Sequence, residues 1–106
     1  MAVTLTADHH DAGKPAVELL PPRATMAVGR VMGYGEDKYP RKVPDEPNYL
    51  HGAGVTPLKL LGSTLRHCFR YLSGEWLDQE SGLPHLAHAA ADAMMALEVE
   101  MKRGRP

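Results

Sequence analysis

Apolar positions recur at three- and four-residue steps in three stretches of this chain, each bounded by proline or glycine. In the first, Ala24, Ala27, Val28, Val31 and Gly35 keep that step, behind Pro21 and Pro22. Proline suits the first turn of a helix, where its missing N–H is not needed. A helix from Pro21 or Pro22 to about Lys38 is expected, with small residues that admit a close neighbour. In the second stretch Leu58, Leu61, Leu65, Cys68, Phe69 and Leu72 share one face at about 100° per residue. Thr56-Pro57 supplies a cap and a first turn, so a helix to about Leu72 is expected, its apolar face toward the core. The third helix follows Ser81, a candidate cap, and Pro84, and runs to about Lys102. Leu86, Ala90, Ala93, Met94, Leu97 and Met101 line one side of it, while Ala89, Met95, Ala96 and Val99 continue the other. It therefore reads as buried all round, between two neighbours or against a partner subunit.

Between the first two helices, Pro40, Pro44, Pro47, Gly52 and Gly54 form a breaker density that no helix or central strand tolerates. A loop this long usually has a function. Sustained alternation with β-branched enrichment is missing, so strands are not expected. The fold class predicted is all-α: a small helical domain of three main helices with a long Pro/Gly-rich loop. Residues 1–13 lack periodicity and read as an arm, 14–102 as the single domain, and 103–106 as a short basic tail.

Composition sharpens this. With 106 residues, ten of them glycine and nine proline, little material remains for a private core, and packing as an oligomer is expected. Twelve basic and thirteen acidic residues are mixed along the chain, which argues against a nucleic-acid coating role. One cysteine, Cys68, cannot close an internal disulfide and suits a reducing cytoplasm. No basic segment precedes an apolar stretch at the start, and no apolar run nears the roughly 18 residues that cross a bilayer, so a cytoplasmic protein without membrane attachment is expected.

The candidate chemistry lies on the second and third helices and the segment between them. Lys59, Ser63, Arg66 and Arg70 follow at steps of four, three and four, a stripe able to grip phosphates or simply to face solvent. His67 stands beside it. His85, His88 and Asp92 sit at i, i+3 and i+7 on one side of the third helix, within a strip whose other members are apolar. Two imidazoles and a carboxylate under cover need a metal, a ligand or mutual hydrogen bonds. Glu75, Asp78 and Glu80 come just before that helix; clustered carboxylates suit a hard cation, and acids also favour a helix N-terminus without one.

In order along the chain, Gly13-Lys14-Pro15, Leu19-Leu20-Pro21, Tyr34-Gly35 with Lys38-Tyr39, Asn48-Tyr49, Arg66-His67, Gly74-Glu75 with Asp78 and Glu80-Ser81-Gly82, then His85-Leu86 with His88-Ala89, resemble the phage-type dATP/dGTP diphosphohydrolase N-terminal family. The resemblance covers about residues 11–100, and Gly74 to Ala89 is its most specific part. It implies an all-α relative of the MazG-like nucleotide pyrophosphohydrolases, which oligomerise, as a dimer or tetramer, and convert nucleoside triphosphates to monophosphate and pyrophosphate with Mg²⁺ or Mn²⁺. Purine deoxynucleoside triphosphates are the implied substrates, and the host cytoplasm the implied location if the chain is phage-encoded.

Combining resemblance and residue chemistry gives a site expectation. Glu75, Asp78, Glu80 and Asp92 are the expected metal ligands; the metal neutralises triphosphate charge and acidifies a water. Lys38, Tyr39, Asn48, Lys59 and Arg66 are expected to bind substrate, with Asn48 and its loop on the base or sugar. His67, His85 and His88 are the expected catalytic proton carriers near neutral pH. The wider superfamily carries two helical acidic pairs, Glu-x-x-Glu and Glu-x-x-Asp, and this chain has neither at helical positions. That departure supports the rival expectation, a non-catalytic nucleotide-binding or assembly module. A nucleic-acid-binding helical protein is the third, resting on the basic stripe and tail.

Overall fold

The computed structural model describes residues 13–51 and 55–106. The expected arm lies outside them except for Gly13, as do Gly52 and Gly54 of the long loop. Three helices form: α1 (Pro22–Lys38), α2 (Pro57–Leu72) and α3 (His85–Lys102), with short 3₁₀ turns at Val17–Leu19 and Asn48–Leu50. Among the described residues there is no strand, only isolated bridges pairing Val43 with Glu46 and Leu77 with Pro84. None of the described helices is long and apolar enough to cross a membrane.

Local chemistry sets the helix limits much as the sequence predicts. Pro22 and Pro57 occupy first turns, and the Thr56 hydroxyl accepts from the Lys59 amide at 3.1 Å, satisfying an orphan donor of α2. Ser81 is not the cap expected for α3. Pro84 holds that position without a side-chain bond, and the His85 amide donates instead to the Trp76 carbonyl at 3.0 Å. Ser81 is three residues too early, and its hydroxyl is engaged elsewhere. At the far end Gly104, at φ +94°, closes α3 through bonds from its own amide to Met101 and from the Arg105 amide to Glu100, so the basic tail begins with a fixed turn.

α3 is the central element and packs against both α1 and α2. Its contact with α1 joins Val28 and Val31 to Ala87 and Ala91, with Ala91 fully enclosed. Small side chains let the axes approach closely, as the spacing in α1 predicts. α2 runs antiparallel to α3: Thr64 lies beside the Ala89 carbonyl, and His67, one turn later, reaches back to His85 at the start of α3.

The orientation of α2 differs from expectation. Leu60, Ser63, Thr64 and His67 are covered or half-covered, while the apolar face points outward, with Leu58 81% and Phe69 64% exposed. α3 likewise shows Leu86, Met94, Leu97 and Met101 to solvent, so it is not buried all round in the single chain. His67, the one histidine of α2, finds its bonding partner on α3, and the Thr64 hydroxyl, bonded to the Leu60 carbonyl within α2 at 3.0 Å, also faces the Ala89 carbonyl of α3.

Candidate active site

The end of α2 fixes the first acidic side chain of the site. Gly74, at φ +98°, sits just past the helix; its amide donates to the Tyr71 carbonyl at 2.9 Å, and the Glu75 amide to Arg70 at 3.1 Å. This glycine-terminated turn reverses the chain and aims Glu75 back at α3. A side chain at the left-handed position carries a steric penalty. Gly74→Ala is expected to lower stability by about 1–2 kcal/mol, read as a reduced midpoint in chemical denaturation.

The loop that follows folds around Asp78. Its carboxylate accepts from the Ser81 amide at 2.8 Å, and its backbone carbonyl accepts from Gly82, at φ +73°, at 2.8 Å. The Asp78 amide donates to Leu83. Burial pushes the Asp78 carboxyl up, but the Ser81 amide and hydroxyl, with His88 and His67 nearby, outweigh it and hold the pKa below the ordinary value.

Three histidines meet here. His67 on α2 stacks on His88 of α3, with ring centroids 4.5 Å apart, and its Nδ1 lies 2.8 Å from Nδ1 of His85. His85 and His88 are only 3% and 8% exposed. His85 Nε2 lies 2.9 Å from the Glu75 carboxylate and so carries the proton it donates there. The bare lone pair on His85 Nδ1 then accepts from His67 Nδ1–H. Burial first, and the neighbouring His88 second, lower the His67 pKa, which keeps that ring neutral at pH 7. His88 Nε2 bonds the Ser81 hydroxyl at 2.6 Å and lies 3.8 Å from the Asp78 carboxylate.

Two cavities flank this cluster. The larger, about 620 Å³, opens between the C-terminal half of α1, the long loop and the α2–α3 face, and has His67, His88, Asp78 and Asp92 among its lining residues. The smaller, about 270 Å³, is lined by Arg66 and Arg70 with Glu75, His85, His67 and Asp78. His67 and Asp78 line both. At the rim of the larger cleft Lys38 pairs with Glu80, and Tyr34 lines the same cleft. The Lys38 partner, then Tyr34, holds the Glu80 pKa down, and Glu80, then Tyr39, holds that of Lys38 up.

One family comparison decides the chain's relationship: the family described as dATP/dGTP diphosphohydrolase, N-terminal, matches residues 4–105. The chain belongs to this family. A relative named dATP/dGTP diphosphohydrolase, from Salmonella phage PMBT28, is 34% identical over 90 residues, which cover 85% of this chain and 28% of that protein. The chain thus spans little more than a quarter of the relative's length. No solved structure matches.

The diphosphohydrolase-family match spans α1, α2 and α3. The structure assembles His67, His85, His88, Glu75 and Asp78, and puts Lys38, Tyr39, Asn48, Glu80 and Asp92 on the large cleft and Arg66 on the small one. Lys59 lines neither; it stands two helical turns, about 10 Å, before Arg66. The Asn48 amide binds the loop itself, donating to the Tyr39 and Pro40 carbonyls at 2.8 and 2.7 Å and accepting from the Lys42 amide at 3.0 Å. Both amide hydrogens are thus engaged within the loop, while Oδ1 keeps one lone pair on the lining of the large cleft. Sequence reasoning assigned no site role to Tyr34 or Ser81. For Ser81 a signal existed, since an aspartate three residues before a serine can accept its amide in a tight turn.

Asp92 has one carboxylate oxygen, Oδ2, buried without a hydrogen-bond partner. An unsatisfied buried carboxylate is costly, and natural proteins keep such costs where a ligand relieves them. Asp92→Asn is expected to raise the melting temperature of the ligand-free protein and to reduce the further rise when metal and nucleotide are added. Thermal unfolding with and without both checks it.

Proposed function

We propose that this chain hydrolyses purine deoxynucleoside triphosphates, dATP or dGTP, to the monophosphate and pyrophosphate. One observation carries the reading: a cleft of about 620 Å³ and a pocket holding Arg66 and Arg70 meet at the same His67–Asp78 pair. A cleft of that size suits a nucleoside, and paired guanidiniums suit phosphate oxygens. The nucleoside occupies the larger cleft against Tyr34 and Tyr39, and the triphosphate crosses the cluster toward the arginines. Family membership, and the printed name of the phage relative, support this substrate class.

A divalent metal fits these residues: donor atoms of His67, Asp78 and His85 lie within 4.8 Å of one another, and Asp92 Oδ2 is a buried atom without a partner. When bound, such an ion supplies charge neutralisation and an acidified water. Asp78 with the His67 and His85 imidazoles would hold it, Glu75 would fix His85, and Arg66 with Arg70 would stabilise negative charge on the departing pyrophosphate. His88, bonded to Ser81 and close to Asp78, is placed to hold or pass a proton. The exposed apolar faces of α2 and α3 join two or more copies into a homo-oligomer.

Pyrophosphate release from a panel of dNTPs and NTPs, with Mg²⁺, Mn²⁺ or chelator, tests the assignment. Chelator-sensitive turnover favouring dATP or dGTP is expected. Saturable nucleotide binding without release in either metal overturns it in favour of a binding module.

A further inference from the structure

The donor set departs from what a magnesium enzyme needs. Mg²⁺ takes oxygen ligands and keeps much of its water, whereas imidazole suits the later divalent metals Fe²⁺, Ni²⁺, Cu²⁺ and Zn²⁺. Of the three side chains whose donor atoms lie within 4.8 Å of one another, two are histidines and one is an aspartate. We propose that His67, His85 and Asp78 form a site for one divalent transition-metal ion, preferred over Mg²⁺, with Glu75 as its positioning residue; the ion's part in hydrolysis rests on the function proposed above.

Four observations support it. Glu75 accepts from His85 Nε2, so Nδ1 presents a lone pair, the arrangement in which a carboxylate behind a histidine fixes tautomer and direction and raises basicity. That Nδ1 faces His67 Nδ1 at 2.8 Å, so the His67 proton fills the place a cation takes on when His67 carries its proton on Nε2. The His67 ring is held by stacking on His88, and Asp78 by the Ser81 amide, so the three donors come from fixed side chains. Finally, His67 and Asp78 line both cavities, which leaves an ion between them open to water or phosphate from either side. Two nitrogens and one carboxylate with open positions is a set that octahedral and tetrahedral transition metals share.

The test uses the full chain stripped with chelator and dialysed against Mn²⁺, Co²⁺, Zn²⁺ or Mg²⁺, with bound metal counted by elemental analysis and the Co²⁺ absorption spectrum recorded. One equivalent of Co²⁺ or Zn²⁺ is expected, retained against a roughly 100-fold excess of Mg²⁺. His67→Gln, His85→Gln and Asp78→Asn each lose that equivalent while helical circular dichroism is preserved. Glu75→Gln weakens binding by about 10- to 100-fold yet keeps the imidazole signature of the Co²⁺ spectrum. His88→Asn retains the equivalent. Equal competition by Mg²⁺, or full binding by both histidine variants, overturns the proposal. Metal bound without pyrophosphate release keeps this site and removes the hydrolase reading; turnover in Mg²⁺ with no transition metal bound does the reverse.

Discussion

Asp78→Asn is expected to cut pyrophosphate release from dATP or dGTP by about 100- to 1,000-fold, the loss that follows removal of one preorganised electrostatic group. Asparagine keeps the size of the side chain and an oxygen able to accept from the Ser81 amide, so the loop that closes on position 78 stays formed. What it removes is the negative charge lining both cavities, beside His67 and 3.8 Å from His88 Nε2. The fall should lie in kcat rather than in nucleotide affinity, because Arg66 and Arg70 remain to hold phosphate. Steady-state kinetics alongside a thermal melt separate the effects. A folded variant with wild-type kcat removes Asp78 from the proposed chemistry.

The second large effect concerns assembly. Phe69→Asp places a charge in the exposed apolar face of α2. In a two-fold interface the change occurs twice, and at about 2 kcal/mol for each anchor the dissociation constant rises roughly 1,000-fold. Light scattering or sedimentation over a concentration series should show the parent chain as an oligomer and the variant as a smaller species. Met94→Glu, on the exposed side of α3, is a parallel probe should Phe69→Asp not fold. A parent chain that is monomeric at every concentration, or variants that assemble as it does, overturns the homo-oligomer proposal. The homo-oligomer proposal is motivated by the described core, where no side chain larger than alanine is fully enclosed.

Much of the fold can be read from single residues. Pro22 and Pro57 mark helix starts, Thr56 is a cap whose bond is made, and the limits near Lys38, Leu72 and Lys102 match the periodicity. These features are local: a proline or a capping hydroxyl acts within one turn of its own position, so the sequence carries the whole cause. The residue types of the site were legible too, since His67, His85, His88, Glu75 and Asp78 stand out as polar groups on or beside otherwise apolar helices.

Roles were harder to read. Glu75 and Asp78 look like one acidic cluster in the sequence, yet Glu75 binds His85 while Asp78 turns toward His67 and His88, and Glu80 leaves the centre to pair with Lys38. Side chains a few residues apart in an irregular loop point in directions set by its turns, here by Gly74 and Gly82 at positive φ. The sequence by itself determined where the three helices run and which groups could do chemistry. Only the tertiary structure decided how α2 is rotated against α3. The periodicity marks an apolar face without saying what covers it, and the polar partners of His67 become known only when α3 is in place.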